Sequence, residues 1–370
     1  MRRSICLTMI VKDEVHVLKR CLDSVIPLID AWCVVDTGSS DGTQSLVREC
    51  LASVPGRLYE RPWVNFGHNR TESIELARSM GDYLLFLDAD EVVQAPPGFE
   101  MPELISDAYS LLMGAGDTTF WREILVSSAL PWRYVGVLHE YLTTDRPHCS
   151  ARLEGPLVYG HFDGGRSKGL ETAAKYRRDA AVLEKAVKDE PENTRYAFYL
   201  AQSYRDGNLL RQSIDAYRRR AAMGGWDEEV WYSLFQVAGL SEQCGLEPDA
   251  VVASYLAAYQ NRPTRAEPLV YLAAFHRKRG EHALAHLYAQ QAVRIGRPSD
   301  MLFLDESCYS WRARDEYAVS RFYLGDFFES LRICEELLSV SDLPPDQRER
   351  VAENLRFADE ALKGNQGKAG

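Results

Sequence analysis

The chain has 370 residues, 46% of them hydrophobic and 26% charged, with 43 Lys and Arg against 54 Asp and Glu and a formal charge of −11. That composition excludes disordered, collagen-like and mini-protein classes and leaves room for two or three domains. The acid excess argues against a generic binder of nucleic acid or anionic membranes, while leaving room for a local basic groove.

The first apolar run, 4–11, follows Arg2 and Arg3 as the core of a secretion signal would. It stops at Lys12-Asp13-Glu14 with no small-residue cleavage site behind it, so it reads as a buried first strand. No later stretch reaches the roughly 18 apolar residues of a membrane helix. The eight cysteines (6, 21, 33, 50, 149, 244, 308 and 334) are scattered without a Cys-x-x-Cys pair and read as reduced residues of a cytoplasmic protein.

From there to about residue 165, short apolar runs alternate with helical patterns. The spacing predicts a helix over 15–25, a strand over 32–35, a helix over 43–51, a short strand near 58–59, a helix over 70–79 and a strand over 83–87. This order implies βαβ units, hence an α/β domain with a mostly parallel sheet covered on both faces. Ligands of such sheets sit at the carboxyl ends of the strands. The informative segments are therefore Lys12-Asp13-Glu14, the turn 36–42 and Asp88-Ala89-Asp90-Glu91.

Beyond Gly164-Gly165 the pattern becomes almost continuously helical. Tyr199-Leu200-Ala201-Gln202-Ser203-Tyr204 before Asp206-Gly207 aligns with Tyr271-Leu272-Ala273-Ala274-Phe275-His276 before Arg279-Gly280. A second amphipathic helix follows each, over 211–220 and 282–293. Turn glycines at 207, 245, 280 and 325 are spaced by 38, 35 and 45 residues, near the roughly 34-residue tetratricopeptide period. A degenerate repeat array is expected, with a plain helical bundle as the alternative. The predicted domains are 1–165 and 166–370. The first carries 14 Lys and Arg against 23 Asp and Glu, the second 29 against 31. An acidic domain that takes a phosphorylated substrate needs a cation between them.

Asp88 and Asp90 end what should be a central strand. Ionised carboxylates there are costly unless neutralised, and Mg²⁺ or Mn²⁺ bridging to a diphosphate explains them economically. The alternative is a turn in which one Asp caps the next helix. In the turn 36–42, Gly38 and Gly42 permit tight backbone while Asp41 and the hydroxyls can cap a helix from Thr43. Together with Val11, Lys12 and Glu14, this order and spacing resembles the family 2 glycosyltransferases of the GT-A fold. It is most similar to the bacterial subgroup in which the catalytic domain precedes tetratricopeptide-like repeats, with relatives that include peptide S-glycosyltransferases.

That resemblance implies site roles residue by residue. Val11, Lys12, Glu14 and Asp36 would line the nucleotide pocket, with Asp36 accepting from a uracil-like base; many relatives carry a second acid where Thr37 stands. Asp88 and Asp90 would hold the metal and donor diphosphate. Asn69-Arg70 at a helix start would meet the donor phosphates or sugar, or else cap the helix. Glu140 would be the base that takes the acceptor proton, with His139 as the other candidate base or its positioner. His161 would complete the metal shell or be structural. Trp132 and Tyr134 would stack on a sugar or fill the core.

The expectation is thus an inverting, metal-dependent glycosyltransferase using Mn²⁺ or Mg²⁺ and a UDP-sugar, acting on a peptide, protein or glycan. Its helical domain would bind the acceptor or form a homodimer. The alternatives are a catalytically inactive repeat-domain adaptor, or a sugar transferase acting on modified nucleic acid. Zinc at His139, His148, Cys149 and His161 fits no compact finger spacing. His282 and His286 lie i, i+4, but no Glu follows His282 as a protease motif requires. Arg218-Arg219-Arg220 and Arg166, Lys168, Arg177 and Arg178 face solvent or meet an acceptor phosphate or acidic peptide. Phosphate-loop, dinucleotide and nucleophile-elbow motifs are absent.

Overall fold

Alternating short apolar runs and amphipathic helices give way to helices alone in the computed structural model, which describes residues 2–115, 118–161, 163–164, 172–340 and 343–366. Arg166 and Lys168 lie outside the described residues. The chain forms two compact units, 1–191 and 192–370. No helix among the described residues is long and apolar enough to cross a membrane.

The first unit begins with strand β1 (Ile5–Val11), helix α1 (Val15–Val25), β2 (Ala31–Asp36), α2 (Thr43–Cys50), β3 (Gly56–Glu60), α3 (Phe66–Ala77) and β4 (Tyr83–Phe86). These are the elements read from periodicity, with ends shifted by a few residues. Both β1 and β2 are buried along nearly their whole length, which explains their unbroken apolar character. Strands β5 (Glu91–Gln94), β6 (Ala108–Ala115), β7 (Thr118–Ser127) and β10 (Ser150–Gly160) extend the sheet to the order β3-β2-β1-β4-β7-β6-β10-β5. A separate hairpin pairs β8 (Arg133–Val135) with β9 (Tyr141–Thr143).

The sheet is mixed. Its β3-β2-β1-β4 half is parallel, as alternating strand and helix dictate. The β4-β7, β7-β6 and β10-β5 pairs are antiparallel and β10-β6 is parallel; only two residues separate β6 from β7, too few for a crossover helix. A large apolar cluster runs through the unit, from Ile5, Leu7 and Met9 through Leu18 and Leu22 to Leu125 and Val158. Helix α4 (Thr172–Asp189) closes its chain order.

The second unit contains α5 (Thr194–Asp206), α6 (Leu210–Ala222), α7 (Asp227–Gln243), α8 (Pro248–Asn261), α9 (Glu267–Lys278), α10 (His282–Ala292), α11 (Ala313–Tyr323), α12 (Phe327–Ser339) and α13 (Pro345–Gln366). Each helix packs on its neighbours in chain order. The core is accordingly a series of small clusters, such as Phe198, Tyr217 and Trp231, then Val251, Tyr255 and Leu272, then Ile333, Leu337 and Val351. Gly245, Gly280 and Gly325 follow α7, α9 and α11 with φ of 63°, 76° and 85°, the left-handed stop that releases a helix into the next. The long glycine step is explained by the irregular segment 293–307 between α10 and α11.

Candidate active site

Parallel pairing of β1 with β2 sets Val11 opposite Asp36, so the two strand-end turns are neighbours. Both the amide and the hydroxyl of Thr37 donate to the Val11 carbonyl, at 2.9 and 3.1 Å. Asp13 sits at φ 55°, a left-handed backbone that a non-glycine residue adopts only when its surroundings demand it. Its amide donates to Ser39 Oγ at 2.9 Å, and its Oδ1 accepts the Ser40 amide at 2.8 Å. Asp36 is 1% exposed. Its Oδ1 accepts from the Gly38 and Ser39 amides and from Gln44 Nε2 at 2.9–3.0 Å. Burial would push this carboxyl up, but those hydrogen bonds outweigh it and hold the group below its ordinary value. Its Oδ2 is buried with no hydrogen-bond partner among the described residues, an acceptor available to a ligand N–H.

At the next strand end, Asp88 and Glu91 clasp each other: the Asp88 amide donates to Glu91 Oε2 at 2.9 Å, and the Glu91 amide to the Asp88 carbonyl at 3.0 Å. Arg122 on β7 donates to both Glu91 oxygens, at 2.7 and 2.9 Å. Burial and the charge of Asp88 raise the Glu91 carboxyl, which Arg122 partly offsets. Asp90 Oδ2 accepts the Gly164 amide at 3.2 Å. Antiparallel β5-β10 pairing sets Gly160 opposite Glu91, and the His161 amide donates to the Asp90 carbonyl at 3.2 Å. The exposed His161 ring stands edge-on to Tyr159 at 5.1 Å.

Arg70 joins this strand end to the β8-β9 region. Its Nε donates to Glu140 Oε1 at 2.8 Å and its Nη2 to Asp88 Oδ1. The guanidinium lies over the Tyr134 ring at 5.5 Å, and Tyr134 meets Phe86 edge to face. Burial opposes the charge of Arg70, yet Asp88, Tyr134 and Glu140 raise its affinity for the proton. In return, Arg70 and Arg122 overcome the burial of Asp88 and lower its carboxyl. Burial lifts the Tyr134 phenol to about 12.

Two clasps aim Arg70. The Gly67 amide donates to the Gly136 carbonyl at 3.1 Å, an approach so close that a Cβ on Gly67 would clash with that oxygen. Thr71 Oγ1 accepts the Tyr134 amide at 2.9 Å. The first turn of α3 is thereby fixed against 134–140, where His139 is exposed at φ 51° beside Glu140.

The remaining residues singled out in the sequence are placed as follows. Lys12 is exposed on the rim. Glu14 is buried, and its Oε2 and the Asp90 side chain both lie close to Gly164. Asn69 is fully buried, accepting the Val64 amide and donating to the Pro62 carbonyl, so it latches the segment before α3. Trp132 is a core residue whose Nε1 donates to the Ser127 carbonyl at 3.0 Å. The structure thus brings together Asp88, Arg70 and Glu140, and separately Asp90, Glu14 and the backbone of His161. Sequence reasoning missed Arg122 and Glu91 as an ion pair; β7 mixes polar and apolar residues and carries Glu123 beside Arg122, so nothing in it singles out Arg122.

No group of three His, Cys, Asp or Glu side chains among the described residues converges as a metal cage. The donors at hand are hard carboxylate oxygens, Asp88 and Asp90. Such a pair fits Mg²⁺ or Mn²⁺ of the kind held by one or two carboxylates and completed by substrate phosphates.

A protein from Synechococcus elongatus described as TPR repeat-containing is 29% identical over 325 residues, covering 78% of this chain and 75% of its own. A tetratricopeptide repeat protein from Parabacteroides merdae is 18% identical with a TM-score of 0.38, covering 52% of this chain and 69% of that one. The C-terminal part of a TPR repeat-containing protein from Cytophaga hutchinsonii is 12% identical with a TM-score of 0.39, covering 51% and 72%. Residues 6–101 match the family model described as glycosyl transferase family 2, and the N-terminal part of this chain therefore carries a domain of that family.

Proposed function

We propose that the chain is an inverting, metal-dependent glycosyltransferase that moves a sugar from a UDP-linked donor to a peptide, protein or glycan. The observation that carries this reading is Arg70, a single side chain that touches both Asp88, at the end of the central strand, and Glu140, the candidate base. A domain of this family needs donor and acceptor chemistry within reach of each other, and this contact supports that placement.

Asp36 Oδ2 accepts an N–H of the base, while the Asp13, Ser39 and Ser40 turn shapes the floor of the nucleotide pocket. Asp88 and Asp90 supply oxygens to Mn²⁺ or Mg²⁺. When bound, that ion supplies Lewis-acid charge to the departing diphosphate. Glu140 takes the acceptor proton as the acceptor attacks the anomeric carbon. His139 next to it orients the acceptor or shares the proton. His161 would join the same ion only by a movement of its exposed ring, since no three such side chains converge among the described residues. The helical unit binds the acceptor polypeptide or pairs two copies of the chain. All eight cysteines are unpaired, which supports a reducing, cytoplasmic setting.

The test is hydrolysis of nucleotide sugars with Mn²⁺, since water substitutes slowly for the acceptor. UDP and free sugar should accumulate, and Asp90→Asn should abolish their release. No consumption of any donor, together with no binding of UDP, would leave the inactive adaptor as the better reading.

A further inference from the structure

Arg70 joins Asp88 to Glu140, and the proposed function gives it no role of its own when the donor loads. Its Nε and Nη2 edges are committed to two different carboxylates, and its Nη1 has no protein partner among the described residues. The side chain is 13% exposed, as is Glu140 at 14%, whereas Asp88 is 40% exposed. The Glu140 contact is therefore enclosed and the Asp88 contact is open. The stem cannot withdraw, because α3 is clasped through Gly67 to Gly136 and through Thr71 to Tyr134, and the guanidinium rests on the Tyr134 ring.

A divalent cation seeking Asp88 meets a guanidinium already bonded to Oδ1. Two cations cannot share one carboxylate oxygen at close range without strong repulsion in a partly enclosed site. Asp88 is prepared for a change of partner: Glu91 holds its amide, and Arg122 keeps a positive field beside it without a hydrogen bond to it. Resting on the glycosyltransferase reading, we propose that Arg70 is a resident counterion that competes with the donor-borne cation for Asp88. Donor loading swings its Nη2 edge from Asp88 toward the diphosphate while its Nε stays on Glu140.

Cation and diphosphate must then arrive together. The diphosphate gives Arg70 a new anion at the moment the cation takes Asp88, so each ligand favours the other. Mn²⁺ alone faces the competition unaided.

Calorimetric titration of the full chain with Mn²⁺ alone, UDP alone, and UDP in saturating Mn²⁺ tests this without any turnover. Arg70→Gln removes the competitor, so Mn²⁺ alone should bind about tenfold more tightly than to the wild type. UDP alone should bind more weakly, and the mutual enhancement of the two ligands should shrink. Asp88→Asn added to Arg70→Gln should abolish the gain in Mn²⁺ affinity. A residue that merely holds the fold would lower stability without tightening Mn²⁺. Should Arg70→Gln fail to fold, Arg70→Met also removes the charge while keeping an apolar stem against Tyr134, and should tighten Mn²⁺ by a similar factor. Unchanged or weaker Mn²⁺ binding in the folded variant, with UDP and Mn²⁺ still enhancing each other in the wild type, overturns the counterion role alone. Wild-type protein that binds neither UDP nor UDP with Mn²⁺ overturns the glycosyltransferase reading, and this inference with it.

Discussion

Two arginine networks, one in each unit, differ in how far their bonding is completed. In the helical unit, Arg265 is fully buried over the Trp231 ring at 3.7 Å. Its three nitrogens bond Glu267, Asp300 and the Leu302 and Phe303 carbonyls. Tyr309 donates to Glu267, and Arg262 grips Asp300 through two bonds of 2.6 Å. This network straps the irregular segment 293–307 onto the repeat helices, with every nitrogen of Arg265 spoken for. In the first unit, Arg70 also joins two acids, but one of them is largely open and one edge of its fork has no protein partner among the described residues. Nearby, Asp36 Oδ2 and Arg122 Nε are buried without partners. The filled bonding of Arg265 suits a structural role, while the open edge of Arg70 and the free Asp36 Oδ2 suit a ligand; a buried polar atom without a partner is not by itself the mark of a site, since Trp231 Nε1 in the helical unit is another.

The largest effect expected is on chemistry in the first unit. Glu140→Gln should slow sugar transfer roughly 10²–10⁴-fold with UDP binding nearly unchanged, measured by product formation and calorimetry. Loss of UDP binding with no separate loss of rate would show Glu140 to be a donor ligand instead. Next, Arg265→Met should destabilise the helical unit by about 3–5 kcal/mol, because Glu267 loses its buried ion-pair partner while Asp300 keeps only Arg262. Thermal unfolding followed by circular dichroism reads that loss, and UDP affinity should not change. A variant as stable as wild type would contradict the structural role of this network.

Gly67→Ala sits between the two regimes. The new Cβ meets the Gly136 carbonyl, so a stability loss of about 1–3 kcal/mol is expected together with slower transfer, as Arg70 is re-aimed. Full activity in that variant would show that the clasp does not position the site. The smallest effect concerns pH. Hydrogen bonds from Arg262 lower the Asp300 carboxyl despite its burial. A lowered value in the folded protein means the pair stabilises above the ordinary carboxylate value near 4 and ceases to do so as pH falls through the folded value. The stability gap between wild type and Asp300→Asn should therefore narrow below about pH 4, whereas a gap constant with pH would contradict the pairing.

Much of this was legible in sequence where local rules dominate. Apolar runs bounded by charge gave β1 to β4 with their helices, and the glycines at 245, 280 and 325 marked true helix ends. The mixed half of the sheet was not legible, because β6, β7 and β10 mix polar and apolar residues, and β4-β7 and β6-β10 pair across long separations. At the site, the strand-end acids were visible by position alone. What Asn69 and Arg70 do was not: adjacent residues at one helix start, one turns inward to latch the preceding loop and the other reaches Asp88 and Glu140. Only the close approach of Gly67 to Gly136 decides that, and it is a tertiary contact. Arg122 escaped notice for the same reason, its partner Glu91 lying on a strand that pairs elsewhere.

The central claim is that the strand ends of the first unit form a donor site for a nucleotide sugar carried with a cation. Calorimetric titration of UDP into the full chain in the presence of Mn²⁺ tests it most directly. A saturable one-to-one isotherm that disappears in Asp90→Asn is the predicted result. An absence of binding, or binding that Asp90→Asn leaves intact, would contradict the account.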